Sequence, residues 1–291
     1  MNVITILRIV LGLFCLVSLV YFVKDLMAHK EDLKGGKYVP LGIIGFYSNF
    51  LDTWGIGSYA TTQAGFKFTK SSPDETVPGT LNVGDTFPVT LEALLFFEFV
   101  DIDPLTLVLM IAAAVVGALI GAGIVCKWNV KMVRIGLGVG LLILAIVLAC
   151  KNAGIGPFGL VGTATALSGV KLVIGIVINF FLGALMMIGV GLYAPCMALV
   201  SALGMNVTAA FPIMMGSCAF LMNAACFKFI KEGKYDRKAS LCLAIFGCIG
   251  VVIAYLLMKY AFSLTVLTYI ICVVMVYTSI MFFKDAFKAK A

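Results

Sequence analysis

Asp52 and Glu92 are carboxylic acids set inside stretches otherwise dominated by Phe, Leu and other apolar side chains. Burying an ionised carboxylate at the centre of a hydrocarbon layer costs at least about 2.5 kcal/mol, so an acid at that depth needs a proton, a partner or a task. Asp52 stands three residues before the break Gly55-Ile56-Gly57, and Glu92 lies one helical turn beyond Pro88 on the same face. A carboxyl that takes up a proton on one side of a membrane and releases it on the other would couple solute movement to the proton gradient. The competing explanation is a protonated structural carboxyl, or one close to the water interface.

Groups suited to holding an anion surround these acids. No Lys or Arg lies deep inside an apolar run, Arg8 being near the edge of the first, so the positive potential must come from helix N-termini. A half-helix that begins after Gly57 or Gly191 presents unpaired N–H groups and about half a positive charge, and the missing side chain lets an oxyanion approach. Gly55 and Gly189, hydroxyls of Ser58, Thr61 and Thr62, the amides of Asn49 and Asn206, and Tyr193 and Pro195 would complete such a substrate shell. Pro88 and Pro212 either kink their helices or line the route. For the glycines, close helix packing is the competing explanation.

Other chemistry is poorly supplied. His29, the only histidine, lies in a charged loop, no nucleophile–base pair is evident, and all nine cysteines sit in or at the ends of apolar runs, where they act as small hydrophobes. An enzyme, a metal site, a cofactor and a disulfide framework are therefore not expected. GIGSYA and GVGLYA are not phosphate loops, because no Lys-Ser/Thr follows them. The net charge of +7 resides in loops, so nucleic acid is not implied.

The elements that must position these residues occur twice. FYSNFLDTWGIGSYA at 46–60 is matched by FFLGALMMIGVGLYA at 180–194, so that Gly55, Gly57, Tyr59 and Ala60 fall on Gly189, Gly191, Tyr193 and Ala194. Upstream, Lys37, Val39 and Phe46 fall on Lys171, Val173 and Phe180. Downstream, Asn82, Val83, Phe87 and Pro88 recur as Asn206, Val207, Phe211 and Pro212, and Val116-Gly117 as Ile249-Gly250. Paired interrupted hydrophobic segments in two halves of a chain point to a transporter's binding site. The acids are not part of this duplication, since Met186 and Gly216 replace Asp52 and Glu92.

Composition makes the chain an integral membrane protein: 62% of its 291 residues are hydrophobic, 12% are charged, and the mean hydropathy is +1.12. Apolar runs near 3–23, 87–100, 105–126, 134–150, 206–227, 239–258 and 262–283 approach the roughly 20 residues of a spanning helix. The run from Phe87 is short and is expected to start near Val83. Seventeen of the 21 Lys and Arg lie in five loops (24–37, 67–70, 127–134, 228–238 and 284–290), which the positive-inside rule puts in the cytoplasm. Arg8, Lys151, Lys171, Lys259 and the acidic turn at 97–103 then face outward. The turn at Asp103 corresponds to the basic turn at Asp236, so the halves are inverted and each crosses an odd number of times. Three plain spans per half satisfy this if each Gly-interrupted stretch enters and leaves on one face, the first opening to the cytoplasm and the second to the outside.

The expected fold is thus an all-α integral membrane protein of two inverted-topology repeats, each an interrupted re-entrant hairpin plus three transmembrane helices, with one extra N-terminal helix. Residues 1–37 form that helix and a basic loop, 38–151 the first repeat, 152–170 a linker, and 171–291 the second repeat and tail. The paired Gly-x-Gly hairpins, the Asn-Val-x-x-x-Phe-Pro element after each, and KEGKYDRK together resemble the TauE/SafE sulfite exporter family over residues 38–285. In that family's Gly-rich turn a Val-Pro follows; Pro195 keeps the proline in the second half and Thr61 replaces it in the first. The resemblance implies a secondary transporter of sulfite, a sulfonate or a related small organic anion, working by alternating access in the plasma membrane. An anion channel on the same architecture and a membrane scaffold are the alternatives. Partners expected are the small anion, protons at Asp52 and Glu92, the lipid bilayer and a second copy of the chain contacting through the first helix. The setting expected is a bacterial cell with the C-terminus cytoplasmic and the N-terminus outside.

Overall fold

The computed structural model describes residues 3–96, 102–159, 162–206, 209–257 and 265–288. These residues form twelve α-helices: α1 (Val3–Ala28), α2 (Tyr38–Thr53), α3 (Ser58–Thr69), α4 (Val77–Gly84), α5 (Thr86–Phe96), α6 (Pro104–Val125), α7 (Val130–Ala153), α8 (Gly169–Met186), α9 (Tyr193–Ala202), α10 (Ala210–Lys231), α11 (Arg237–Leu257) and α12 (Thr265–Lys288). Among the described residues seven helices (α1, α6, α7, α8, α10, α11 and α12) are long and apolar enough to cross a membrane. With their wide apolar outer faces they make this an all-α, multi-pass membrane protein.

Length alone misjudges two of these elements. Helix α8 has the length of a span, yet it belongs to a hairpin: Lys171, just inside its start, donates from Nζ to the carbonyl of Leu203 just past the end of α9, at 3.0 Å. Lys37, its repeat partner, donates in the same way to the carbonyls of Thr69 and Lys70 at the end of α3 (2.7 and 2.8 Å). One lysine in each half thus closes the base of a re-entrant hairpin by meeting carbonyls that a helix C-terminus leaves unpaired. Conversely, α4 and α5 are each too short to span, and cross as a pair bent at Asp85. The span expected to begin near Val83 therefore begins at Val77.

Hydrogen bonds collect the five basic segments on one face. Lys238 Nζ reaches the carbonyl of Lys34 (3.0 Å), Lys37 reaches residues 69 and 70, and Lys67 and Arg134 both reach Asp285, through its carboxylate and its carbonyl (2.8 and 3.1 Å). At the other end of α6 the Asp103 N–H meets the Thr165 carbonyl (2.9 Å), and the Ala164 carbonyl accepts from Asn206 N–H (2.8 Å). The base of the α8–α9 hairpin therefore lies on the face opposite the base of α2–α3, and the two halves are inverted. Residues 97–101 of the acidic turn, Val207 and Lys259 lie outside the described residues.

Packing follows the same exchange of halves. Helix α2 lies against α11 and α8 against α6; α4 and α5 lie against α11 and α10 against α6; α7 and α12 pack on each other. The close approaches repeat as well. A Cβ on Gly250 would stand 2.3 Å from the carbonyl oxygen of Phe46, and one on its partner Gly117 would stand 1.9 Å from that of Phe180, Phe46's partner. Small residues at such crossings let backbones meet in a membrane, where no hydrophobic force drives helices together. Helix α1 packs on α5 and α10, and its basic-face end is tied to α11 by Asp25, whose Oδ2 accepts from Arg237 Nε at 2.6 Å.

Asp103 starts α6 by accepting from the Thr106 N–H and hydroxyl, both at 2.8 Å, and these bonds hold its carboxyl below the usual carboxylate range. The charged form is the bonded one, so the cap stabilises at neutral pH and is lost as pH falls below about 4. Asp103→Ala is expected to lower the unfolding temperature of the detergent-solubilised chain by a few degrees at neutral pH, with a difference that shrinks in acid.

Candidate functional site

Each hairpin turns inside the helix bundle through glycine. Gly57 has φ +99° and Gly189 φ +102°, a region that side-chain-bearing residues rarely adopt, so the turn needs this residue type. The turns bring the N-termini of α3 and α9 together, and a small cavity of about 30 Å³ lies between them. Asp52, Gly57, Ser58 and Tyr59 line it from the first hairpin, and Gly191, Leu192, Tyr193 and Ala194 from the second. Leu144 and Leu148 of α7, Met275 of α12, Cys218 of α10, Val89 of α5 and Met186 of α8 close the wall. The volume accommodates about one or two water molecules, so the site is nearly shut.

The N-terminus of α3 already holds an acid. Asp52 accepts from the Ser58 hydroxyl (2.7 Å) and from the Ser58 backbone N–H, and it is buried. A carboxylate there meets orphan amides and the positive end of the helix dipole together. At the corresponding place before α9 the chain has Met186, so the second half carries no tethered anion. The second tip instead reaches into the first half, where Tyr193 donates to Glu92 Oε2 (2.8 Å), and Gln63 Nε2 meets the Gly189 carbonyl at 2.7 Å.

A third acid, Asp85, escaped the sequence reading. It is fully buried at the bend between α4 and α5 and accepts from Asn49 Nδ2 (3.0 Å). Asp52 lies within electrostatic range of both Asp85 and Glu92. Asp85 Oδ2 and Glu92 Oε1 are buried without a hydrogen-bond partner, as are Thr62 Oγ1 and Gln63 Oε1. Such atoms require a proton, a water or a ligand. Tyr59, the repeat partner of Tyr193, donates to Asn82 Oδ1 (3.0 Å). Both tyrosines thus anchor hairpin tips to the α4–α5 span, whereas the sequence placed Tyr193 in the substrate shell and Tyr59 only in the repeat.

The remaining candidates scatter. Thr61 returns its hydroxyl to the carbonyl of Ser58 (2.9 Å), as helical threonines do. Asn206 lies at the outer base of the second hairpin rather than in the shell of the cavity. Pro88 packs toward Gly247. Pro195 and Pro212 occupy the first turns of α9 and α10, where a missing N–H costs nothing. Gly55 meets a cation that was not expected there, for Lys151 reaches in from the outer end of α7 and donates to the Gly55 carbonyl at 2.9 Å. Polar side chains also join the helices of the interior, where Asn223 donates to Thr90 Oγ1 (2.8 Å) and Ser217 accepts from Asn179 (3.0 Å).

Two inverted halves with re-entrant tips meeting over a buried polar site make this a multi-pass membrane protein with a polar centre inside its helix bundle. In comparisons with known proteins, no family model, no curated protein and no solved structure matches the chain.

Proposed function

We propose that the protein is a secondary transporter of a small anion, of the sulfite or sulfonate class that the sequence resemblance implies, moving it by alternating access and coupling it to protons. One observation carries the reading: hairpins inserted from opposite faces bring two half-helix N-termini to one nearly closed cavity, and the carboxylate of Asp52 occupies the first of them. Such a carboxylate is a tethered competitor for a free anion. When Asp52 gains a proton its hold on the Ser58 amide weakens, and the dipole of α3 becomes available to the solute. Loss of the proton on the other side restores the competitor and expels the anion. Glu92, bonded to Tyr193 of the second tip, links this event to the opposite hairpin, and Asp85 adds a third carboxyl that can share the charge.

In this reading the basic face is cytoplasmic, the C-terminus lies in the cytoplasm and the N-terminus outside, in the plasma membrane of a bacterial cell, and the chain catalyses no covalent chemistry. The test is flux of labelled sulfite and of methanesulfonate into proteoliposomes, with and without an imposed pH gradient. Saturable flux that responds to the gradient is expected. Conductance without saturation would make the protein a channel, and absence of flux with folded protein would remove the anion assignment.

A further inference from the structure

A second cavity, of about 530 Å³, opens at the basic face beneath α3, well away from the hairpin tips. Lys67, Lys70, Ser72, Asp74, Arg134 and Asp285 line it. Lys67 is buried, and its Nζ lies 2.8 Å from Asp74 Oδ2, 2.8 Å from Asp285 Oδ2 and 4.4 Å from the centre of the Phe282 ring. Arg134 Nε shares the same Asp74 oxygen at 2.8 Å. Three cations thus face two carboxylates. The uncommitted cation is Lys70, whose side chain makes no ion pair among the described residues. Lys70 is also the one described residue other than glycine with positive φ (+50°), and its carbonyl is pinned by Lys37. The Ser72 hydroxyl, buried in the same wall, has no hydrogen-bond partner.

An uncommitted ammonium, an unpartnered hydroxyl and a surplus positive charge are what a small oxyanion needs, and nothing in the fold demands them. At the opposite face the repeat partners of Lys67 and Asp285 are Ser201 and Asn152, which carry no charge. The position is also mechanical. Lys67 lies nine residues beyond Ser58 on the same helix, about 13 Å from the closed cavity. Its pair with Asp285 joins α3, the inner arm of the first hairpin, to α12, which supplies Met275 to the cavity wall.

Resting on the transport reading above, we propose that this vestibule is a docking site for a small sulfonate-class oxyanion, and that the docked anion competes with Asp285 for Lys67, freeing α3 from α12 and opening the cavity to the basic face. Lys70 and Ser72 hold the anion; Lys67 is the latch. Asp74, shared with Arg134, keeps Lys67 from leaving with the anion.

Two measurements on the full chain in detergent test this. The first is equilibrium binding of labelled methanesulfonate, and the second is the rate at which a maleimide reagent reaches Cys218 in the cavity wall, with Cys218→Ala subtracting the other eight thiols. Lys70→Gln combined with Ser72→Ala is expected to weaken methanesulfonate binding about tenfold. Methanesulfonate is expected to speed Cys218 labelling in the native chain but not in that double variant, and Asp285→Asn to speed it with no anion present. Native-like binding by the double variant would overturn the docking site, as would absence of binding by the native chain. Cys218 labelling that Asp285→Asn leaves unchanged, in protein that binds the anion normally, would overturn the latch. Binding that needs Lys70 and Ser72 without any flux in proteoliposomes would sink the transport reading and keep the site; flux with native binding in the double variant would do the reverse.

Discussion

Asp52→Asn is expected to abolish proton-driven accumulation of the anion in proteoliposomes while leaving the protein folded. The asparagine keeps an oxygen that can accept from the Ser58 amide and hydroxyl, so the tip of the first hairpin retains its local bonds. What it loses is the charge that competes for the N-terminus of α3 and the ability to bind a proton there. One proton moved with each anion supports about tenfold accumulation per unit of pH gradient, since one pH unit corresponds to about 1.4 kcal/mol. In Asp52→Asn that ratio should fall to what passive equilibration gives, and the flux should lose its dependence on pH. Glu92→Gln should reduce the ratio as well, because Tyr193 then meets a neutral amide and the two tips are no longer joined through a titrating group. Unchanged pH-dependent flux in both variants would remove the proton role from these residues. If only Asp85→Asn flattened the profile, coupling would belong to the Asn49–Asp85 pair.

How far a chain of this kind can be read depends on which interactions are local. The spans, the hairpin glycines and the inversion were legible because each rests on residues close in sequence or on a repeat: apolar length, Gly55-Ile56-Gly57 against Gly189-Val190-Gly191, and basic segments against neutral ones. The sharing of hairpin bases by Lys37 and Lys171 was visible as an aligned pair, though its purpose emerged only with the carbonyls of residues 69, 70 and 203 in place. Asp85 was hidden by its neighbours, for Asn82-Val83-Gly84-Asp85-Thr86 reads as a polar approach to a span rather than its bend. Helix α8 by itself has the length of a plain span, and only the matched break at Gly189-Val190-Gly191 after it marked it as one arm of a hairpin. Lys67 with Asp285 and Lys151 with Gly55 join residues far apart in the chain, and no spacing rule announces such partners.

The equivalence of the halves itself predicts a matched pair of losses. Gly117→Ala and Gly250→Ala each add one methyl group to a helix crossing, and in each case the added carbon would meet a backbone carbonyl oxygen, that of Phe180 at 1.9 Å or of Phe46 at 2.3 Å. A carbonyl inside a helix cannot swing aside as a side-chain tip can, so α6 must separate from α8, or α11 from α2. Overpacking of this sort costs about 1–3 kcal/mol, and here it falls on the two crossings that exchange when the halves exchange. Gly123 is the internal control. It lies on α6 with nothing within 4 Å of where its Cβ would be, so Gly123→Ala should be neutral, or stabilising by up to about 1 kcal/mol through helix propensity. Thermal unfolding of the solubilised protein, followed by tryptophan fluorescence, would separate these outcomes. The two crossings share no residue, so the double variant Gly117→Ala/Gly250→Ala should lose about the sum of the single losses. Similar losses at 117 and 250, with none at 123, would mean that both halves bear load at the same place, as a machine that alternates by exchanging them requires. A loss at only one of the two would mean that one crossing carries the fold while the other yields, and the hairpin attached to the yielding crossing would then be the one that moves.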